Sequence, residues 1–317
     1  MAEFIPDSID FSLYADMTEC QQKVFSAGEY AEEVVAHFWE HKEESGIVMP
    51  WKKTHGRIEF RPGEVSLWAG FNGHGKSLVL GQCSIAFLPQ RQKVCIASLE
   101  MKPRTTLARM SRQAYGGSKP PPDFIRDYAA TTDQWLWFYD HQGTTKTETA
   151  LGLIRYSAQE LGCHQFILDS LTKCGIADDD NDRQKRFVDS LCAVAQDTGI
   201  HIHLVAHSRK GQDESKSPGK MDVKGSGAIT DLVDNVFCWW RNKPKEEMAR
   251  TNSSQYDPAE PDGILTCDKQ RNGEWEGRVG LFFEPASTQY VEEAHGHPMS
   301  LLEPPRAAGL VEREDDF

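Results

Sequence analysis

The run Gly70-Phe71-Asn72-Gly73-His74-Gly75-Lys76-Ser77 has the spacing G-x-x-x-x-G-K-S. Its chemistry is phosphate binding. Glycines let backbone N–H groups turn inward as a cradle for phosphate oxygens, the lysine adds a mobile positive charge, and the hydroxyl offers a ligand to a divalent cation. Such a loop works between a strand and the start of a helix, where unpaired N–H groups and the helix dipole favour anions. The preceding "EVSLWA" has the pattern of a strand, and a helical pattern follows over 76–89. Gly70, Asn72, Gly73, His74, Gly75, Lys76, Ser77 and Leu78 are therefore expected to contact ATP or another nucleoside triphosphate. Lys76 would reach the β- and γ-phosphates, and Ser77 would ligate Mg²⁺.

Hydrolysis also needs a second carboxylate on the magnesium side and a base for the attacking water. "QFILD" is an apolar strand ending in Asp169, and open α/β sheets bind ligands at the C-terminal ends of their strands. Asp169 is the second metal-side ligand on this reading. "VCIASLE" is a separate strand ending in Glu100, placed to orient or deprotonate water.

These residues must be held by an α/β framework. "EVSLWA", "KVCIASLE", "WLWFYD", "HQFILDS" and "IHIHLVAHS" are continuous apolar runs, and helical patterns at 76–89, 103–115, 146–161 and 182–198 lie between them. Continuous rather than alternating apolar strands, separated by helices, predict a mostly parallel twisted sheet covered on both faces. "VDNVFCWW", "GILTCDKQR" and "RVGLFFEP" lack long helices between them and predict antiparallel edge strands. The segments 115–122 and 241–262 read as irregular, exposed loops.

Before this framework, Ser26 and Glu29 have capping-box spacing and Phe25 and Tyr30 that of a hydrophobic staple. Tyr30, Val34 and Phe38, beside Ala31, Val35 and Trp39, then form an apolar stripe that stops at Gly46. Such a helix can cover its own core or dock on a neighbouring subunit. The chain accordingly divides into an N-terminal tail (1–25), a linker helix (26–50), the ATPase framework (51–292) and an acidic C-terminal tail (293–317) ending "EREDDF".

Composition narrows the classes further. The 317 residues carry a formal net charge of −13, which argues against a surface generally coated for nucleic acid but leaves room for a local basic strip. Between Ser208 and Lys224 stand five basic residues (Arg209, Lys210, Lys216, Lys220, Lys224) against three acidic (Asp213, Glu214, Asp222), a net +2. That suits backbone contacts to single-stranded nucleic acid. The eight cysteines are scattered without a C-x-x-C pair and read as buried small hydrophobes in a reducing compartment. No apolar run reaches the ~18 residues of a membrane helix, and the start is no signal peptide.

Five motifs in order, "GFNGHGKS", "SLE", "FILDS", "HLVAHSRKG" and the pair "KGSGAITDLVDN" with "DKQRNGEWEGRVG", resemble the RecA-like hexameric replicative DNA helicases: the DnaB type, Twinkle, and the helicase half of phage helicase–primases. The resemblance covers roughly residues 45–292. It implies a RecA-like P-loop NTPase core preceded by a linker helix that packs on the adjacent subunit. It makes His207 a γ-phosphate contact that relays to the DNA loops, and Lys224 and Gly225 contacts to the DNA backbone, joined by Arg209, Lys210 and Lys220. Many relatives have Arg where Lys224 stands, so a point charge replaces a bidentate fork. The resemblance makes Arg271 an arginine finger inserted into the neighbour's site, with Lys269 beside it at strand spacing. The implied activity is NTP-driven 5′–3′ translocation on single-stranded DNA by a ring-shaped homo-hexamer.

The relatives' primase or zinc-binding domain is not expected before the linker helix, which suggests a stand-alone phage form acting in the cytoplasm of an infected bacterium. The acidic tail echoes those that dock on DNA polymerase; a primase or single-strand-binding protein is a further candidate partner. A RecA- or RadA-like recombinase forming filaments on single-stranded DNA shares the fold and the trans-acting arginine. A nucleotide-gated clamp or loader is the non-motor alternative.

Overall fold

Five-residue strands that are buried at every position build the centre of the molecule: β1 (Val65–Ala69), β2 (Val94–Ser98), β4 (Gln165–Asp169) and β5 (His201–Val205). Burial without alternation is what a strand sandwiched between two helical layers requires. In the computed structural model, which describes residues 27–32, 34–35, 46–177, 179–208, 213–224 and 227–302, they join β3 (Leu136–Phe138), β6 (Asn235–Arg241), β7 (Gly263–Gln270), β8 (Gly277–Glu284) and β9 (Gln289–Val291). The sheet order is β3-β2-β4-β5-β1-β6-β7-β8-β9. Pairing is parallel from β3 through β6. From β6 to β9 it is antiparallel, as the shortage of long helices between the last strands predicts.

Helices α1 (Lys76–Phe87), α2 (Pro103–Tyr115), α4 (Thr147–Gln159) and α5 (Asn181–Thr198) fall where helical periodicity places them. Alternate residues of β1 feed two cores. Val65, Leu67 and Ala69 pack with Leu153 and Ile154 of α4 and Leu191 of α5. Trp68 packs on the other face with Val79 and Ile85 of α1. The described cysteines are free, all buried except the half-buried Cys192. No helix among the described residues is long and apolar enough to cross a membrane.

Three helices refine the sequence reading. The proline-rich loop ends by starting α3 (Pro122–Thr132), where proline occupies the first turn at no cost in hydrogen bonds. The segment 241–262 is not irregular throughout, because it contains α7 (Lys243–Arg250). Asn242 caps α7 by accepting from the Lys245 N–H at 3.0 Å, and the buried Lys245 ammonium pairs with Asp262 at 2.7 Å. The short α6 (Gly227–Leu232) leads into β6.

At the N-terminus, Ala27–Tyr30 form a 3₁₀ turn followed by helical Ala31, Glu32, Val34 and Val35. Val34 and Val35 are 51% and 49% exposed, so these two valines do not cover the chain's own core. The rest of the expected linker stripe (Phe38 and Trp39), the tail 1–25 and the terminal "EREDDF" lie outside the described residues.

Candidate nucleotide-binding site

Parallel strands deliver their C-terminal ends to one edge of a sheet. The consecutive order β2-β4-β5-β1 therefore sets Glu100, Asp169, His207 and the glycine-rich loop side by side. The loop runs from Gly70 to the first turn of α1. A Cβ on Gly70 would lie 2.3 Å from the Trp239 carbonyl oxygen of β6, so the close backbone approach requires glycine. Gly75, at φ 89°, takes the left-handed conformation that caps α1, and its carbonyl accepts from the N–H groups of Leu78 and Val79.

Lys76 is buried and donates to the loop's own carbonyls, Gly70 at 2.9 Å and Phe71 at 3.0 Å, and to His207 Nδ1 at 3.3 Å. Burial pushes its pKa down to about 8, against the pull of Asp169 and Glu100. Ser77 Oγ donates to Asp169 Oδ2. The Asp169 carboxyl is raised by burial, opposed by the Ser77 hydrogen bond. A hydroxyl touching a carboxylate, beside a cation bonded only to backbone carbonyls and an imidazole, is the donor set that a magnesium–triphosphate complex requires. Glu100 is exposed, accepts from Ser170 Oγ at 3.3 Å and stands 4.0 Å from His207 Nε2.

These groups line a cleft of about 390 Å³ together with Asn72, Gly73, Gly75 and Leu78. Arg109, Arg112, Arg241 and Thr288 also line it and were not anticipated from sequence. The first two had a legible signal, being one helical turn apart on the helix that follows Glu100. Arg112 donates to the carbonyls of Pro285 and Ala286 at 3.1 and 2.9 Å. Arg241 pairs with Glu246, Nη2 to Oε2 at 2.8 Å. Gly70 and His74 shape the loop without lining the cleft; the His74 ring is fully buried beneath it.

Lys269 and Arg271 lie elsewhere. β7 runs antiparallel to β6, so Gln270 pairs with Asn235, which in turn lies level with Ser66 near the start of β1. The glycine-rich loop leaves the other end of β1, four residues beyond Ser66, roughly 13 Å along an extended strand. Both cations point to one side, as their spacing predicts. Lys269 Nζ donates to the carbonyls of Thr230, Asp231 and Val233 at 2.9, 2.8 and 2.7 Å. Arg271 Nη2 donates to those of Asp231 and Leu232 at 3.2 and 3.0 Å, and Nη1 lies 3.3 Å from Asp234 Oδ1. They cap the C-terminal end of α6, where carbonyls favour cations.

The basic segment returns to the cleft edge. Ser208 N–H donates to the Gly70 carbonyl at 3.0 Å, Ser208 bridges to Val223, and Lys224 N–H donates to the His207 carbonyl at 2.8 Å. Lys220 is exposed on a 3₁₀ turn, Lys220–Asp222. Arg209, Lys210 and Gly225 lie outside the described residues.

Known proteins resemble this chain in sequence and fold. A family model described as an AAA domain matches residues 56–213. A DNA helicase/primase of Enterobacteria phage T3 is 24% identical over 204 residues, spanning 58% of this chain. The matched region covers only 36% of that protein's length. Among solved structures, one described as an ATPase domain superposes with a TM-score of 0.68 at 16% identity, covering 85% of this chain and 99% of that one. A DnaB-like replicative helicase, solved with attention to its interactions with primase, gives 0.68 at 15% identity, covering 84% and 68%. With the glycine-rich loop and the strand order, these likenesses show that the chain carries an AAA domain over residues 56–213 and shares the fold of the ATPase domains it superposes on.

Proposed function

We propose that the chain is the ATPase motor of a DNA helicase, hydrolysing ATP or another nucleoside triphosphate while translocating 5′ to 3′ on single-stranded DNA as a ring-shaped hexamer. The observation that carries the reading is the separation of the two halves of the chemistry. Glu100, Lys76, Ser77, Asp169 and His207 gather at one end of β1, and Arg271 with Lys269 sits at the other. A rigid sheet cannot bring Arg271 to its own phosphates, so a second copy must supply it. The half-exposed Val34 and Val35 support an N-terminal helix that docks on a neighbour.

Within one site, Ser77 and Asp169 would hold Mg²⁺, whose charge would neutralise the phosphates. Lys76 exchanges its bonds to the Gly70 and Phe71 carbonyls for phosphate oxygens. Glu100, with one face open to the cleft, orients water and takes its proton. His207 touches both Lys76 and, through its carbonyl, the N–H of Lys224. A phosphate sensed by its ring is thereby one peptide away from the basic segment, where Lys220, Lys224, Arg209, Lys210 and Gly225 would follow the DNA backbone. The acidic C-terminal tail is proposed to dock on a polymerase, primase or single-strand-binding protein.

Purified protein should hydrolyse nucleotide faster with single-stranded DNA and displace a strand from a forked duplex. DNA-stimulated hydrolysis without displacement on any tailed substrate would remove the helicase reading. Helical filaments instead of rings in electron micrographs would favour a recombinase.

A further inference from the structure

We propose that His74 and Glu214 form a positioning link through which occupancy of the phosphate loop sets the placement of the basic segment 213–224. The inference rests on the reading of that segment as the DNA contact and adds a second route beside His207.

His74 stands between Gly73 and Gly75, at φ 73° and 89°, in the middle of the cradle whose N–H groups turn onto a phosphate. Its ring is fully buried and faces away from the cleft. The Arg241 backbone N–H donates to Nδ1 at 3.2 Å, which leaves the ring proton on Nε2. Nε2 faces Glu214 Oε2 at 3.4 Å. Glu214 is held from two further sides, its carboxylate by Lys243 Nζ at 3.1 Å and its carbonyl by Trp240 Nε1 at 2.9 Å. Trp239 Nε1 completes the set by donating to the His74 carbonyl at 2.8 Å.

Three consecutive residues at the end of β6 thus grip the phosphate loop and the basic segment in turn: Trp239 holds His74, Trp240 holds Glu214, and Arg241 holds His74 again. A phosphate that fixes the peptides on either side of His74 also fixes where the ring presents its Nε2–H. Glu214 follows that hydrogen, and with it the segment that carries Lys216, Lys220 and Lys224. Glu214 touches neither phosphate nor DNA in this scheme; it acts by position.

The test is amide hydrogen exchange of residues 213–224 in the full chain, with and without Mg²⁺ and a non-hydrolysable ATP analogue. Nucleotide is expected to slow exchange there in the wild type by about fivefold, the scale of one modest hydrogen bond. Glu214→Ala should lose most of that slowing, while Glu214→Gln, which keeps an acceptor for Nε2–H, should retain it. Equal slowing in Glu214→Ala, or none in the wild type, overturns the link. In parallel, Glu214→Ala should keep basal hydrolysis but lose severalfold in stimulation by single-stranded DNA; undiminished stimulation also overturns it. A wild type that DNA does not stimulate would instead defeat the DNA reading, with the exchange comparison still deciding the link.

Discussion

The two ends of β1 make opposite use of charge. At its C-terminal end, Lys76 and Asp169 are buried close together, each with its ordinary ionisation disfavoured by burial and part of its hydrogen-bonding capacity spent on neighbours that a nucleotide can replace. At its N-terminal end, Lys269 is bonded to three carbonyls at the end of α6, and Arg271, held by the Asp231 and Leu232 carbonyls and by Asp234, keeps 47% of its side chain exposed. One end is poised to receive a ligand, and the other to be offered outward. The helix that Lys269 and Arg271 cap begins just after Lys224, so the cations that would reach a neighbour also steady the far end of the proposed DNA-binding element.

The largest expected effect separates these ends. Arg271→Ala should lower the maximal hydrolysis rate by roughly 10³-fold or more while leaving nucleotide affinity nearly unchanged, because the proposed finger would serve another copy's site. A comparable loss of affinity, or unchanged turnover in steady-state kinetics, would erase the distinction between the two ends.

A smaller effect comes from the N-terminal half of β1, where Ser66 Oγ bonds His201 Nε2 at 2.9 Å and His201 Nδ1 bonds the Arg61 carbonyl at 2.7 Å. Burial pushes the His201 pKa down to about 4. The unfolded chain takes up a proton below about 6.5, and the fold does not until about 4. Stability therefore falls as pH drops through that window. At about 1.4 kcal/mol per pH unit the loss is about 2 kcal/mol by pH 5. Urea midpoints at pH 7 and 5 should show it, and His201→Gln should reduce the difference; an equal difference in both proteins would contradict it.

The smallest effect lies at the cleft and has the opposite sign. Lys76 loses its proton near pH 8 in the free protein and regains it beside phosphates, so binding takes up a proton above that pH. Nucleotide affinity should fall about fivefold between pH 8 and 9 if the bound pKa exceeds 10. Calorimetric titration at pH 7, 8 and 9 measures it, and an affinity flat across that range would mean that Lys76 does not carry the binding charge.

Much of this was legible in the residues. β1, β2, β4 and β5 announce themselves because short, largely apolar runs between polar boundaries suit a strand covered on both faces. The glycine-rich loop is equally local, since its chemistry resides in eight consecutive residues. What escaped depends on distant partners. Helix α7 is anchored by Lys245 finding Asp262 across a loop, which no local periodicity records. His74, read as a nucleotide contact because of its place in the motif, turns its ring toward partners 140 and 167 residues away. Spacing showed that Lys269 and Arg271 share a side, but only the antiparallel pairing of β7 places them at the far end of β1.

The most direct test of a site divided between copies mixes two variants, Glu100→Gln, which removes the proposed base, and Arg271→Ala, which removes the proposed finger. Each assembled alone should hydrolyse nucleotide only at background. Co-assembled in equal amounts, they form some interfaces that pair an intact Glu100 with an intact Arg271. DNA-stimulated hydrolysis should then rise above that of either variant alone. A mixed assembly, confirmed by mass, that stays no more active than its components would contradict a finger supplied by the neighbour.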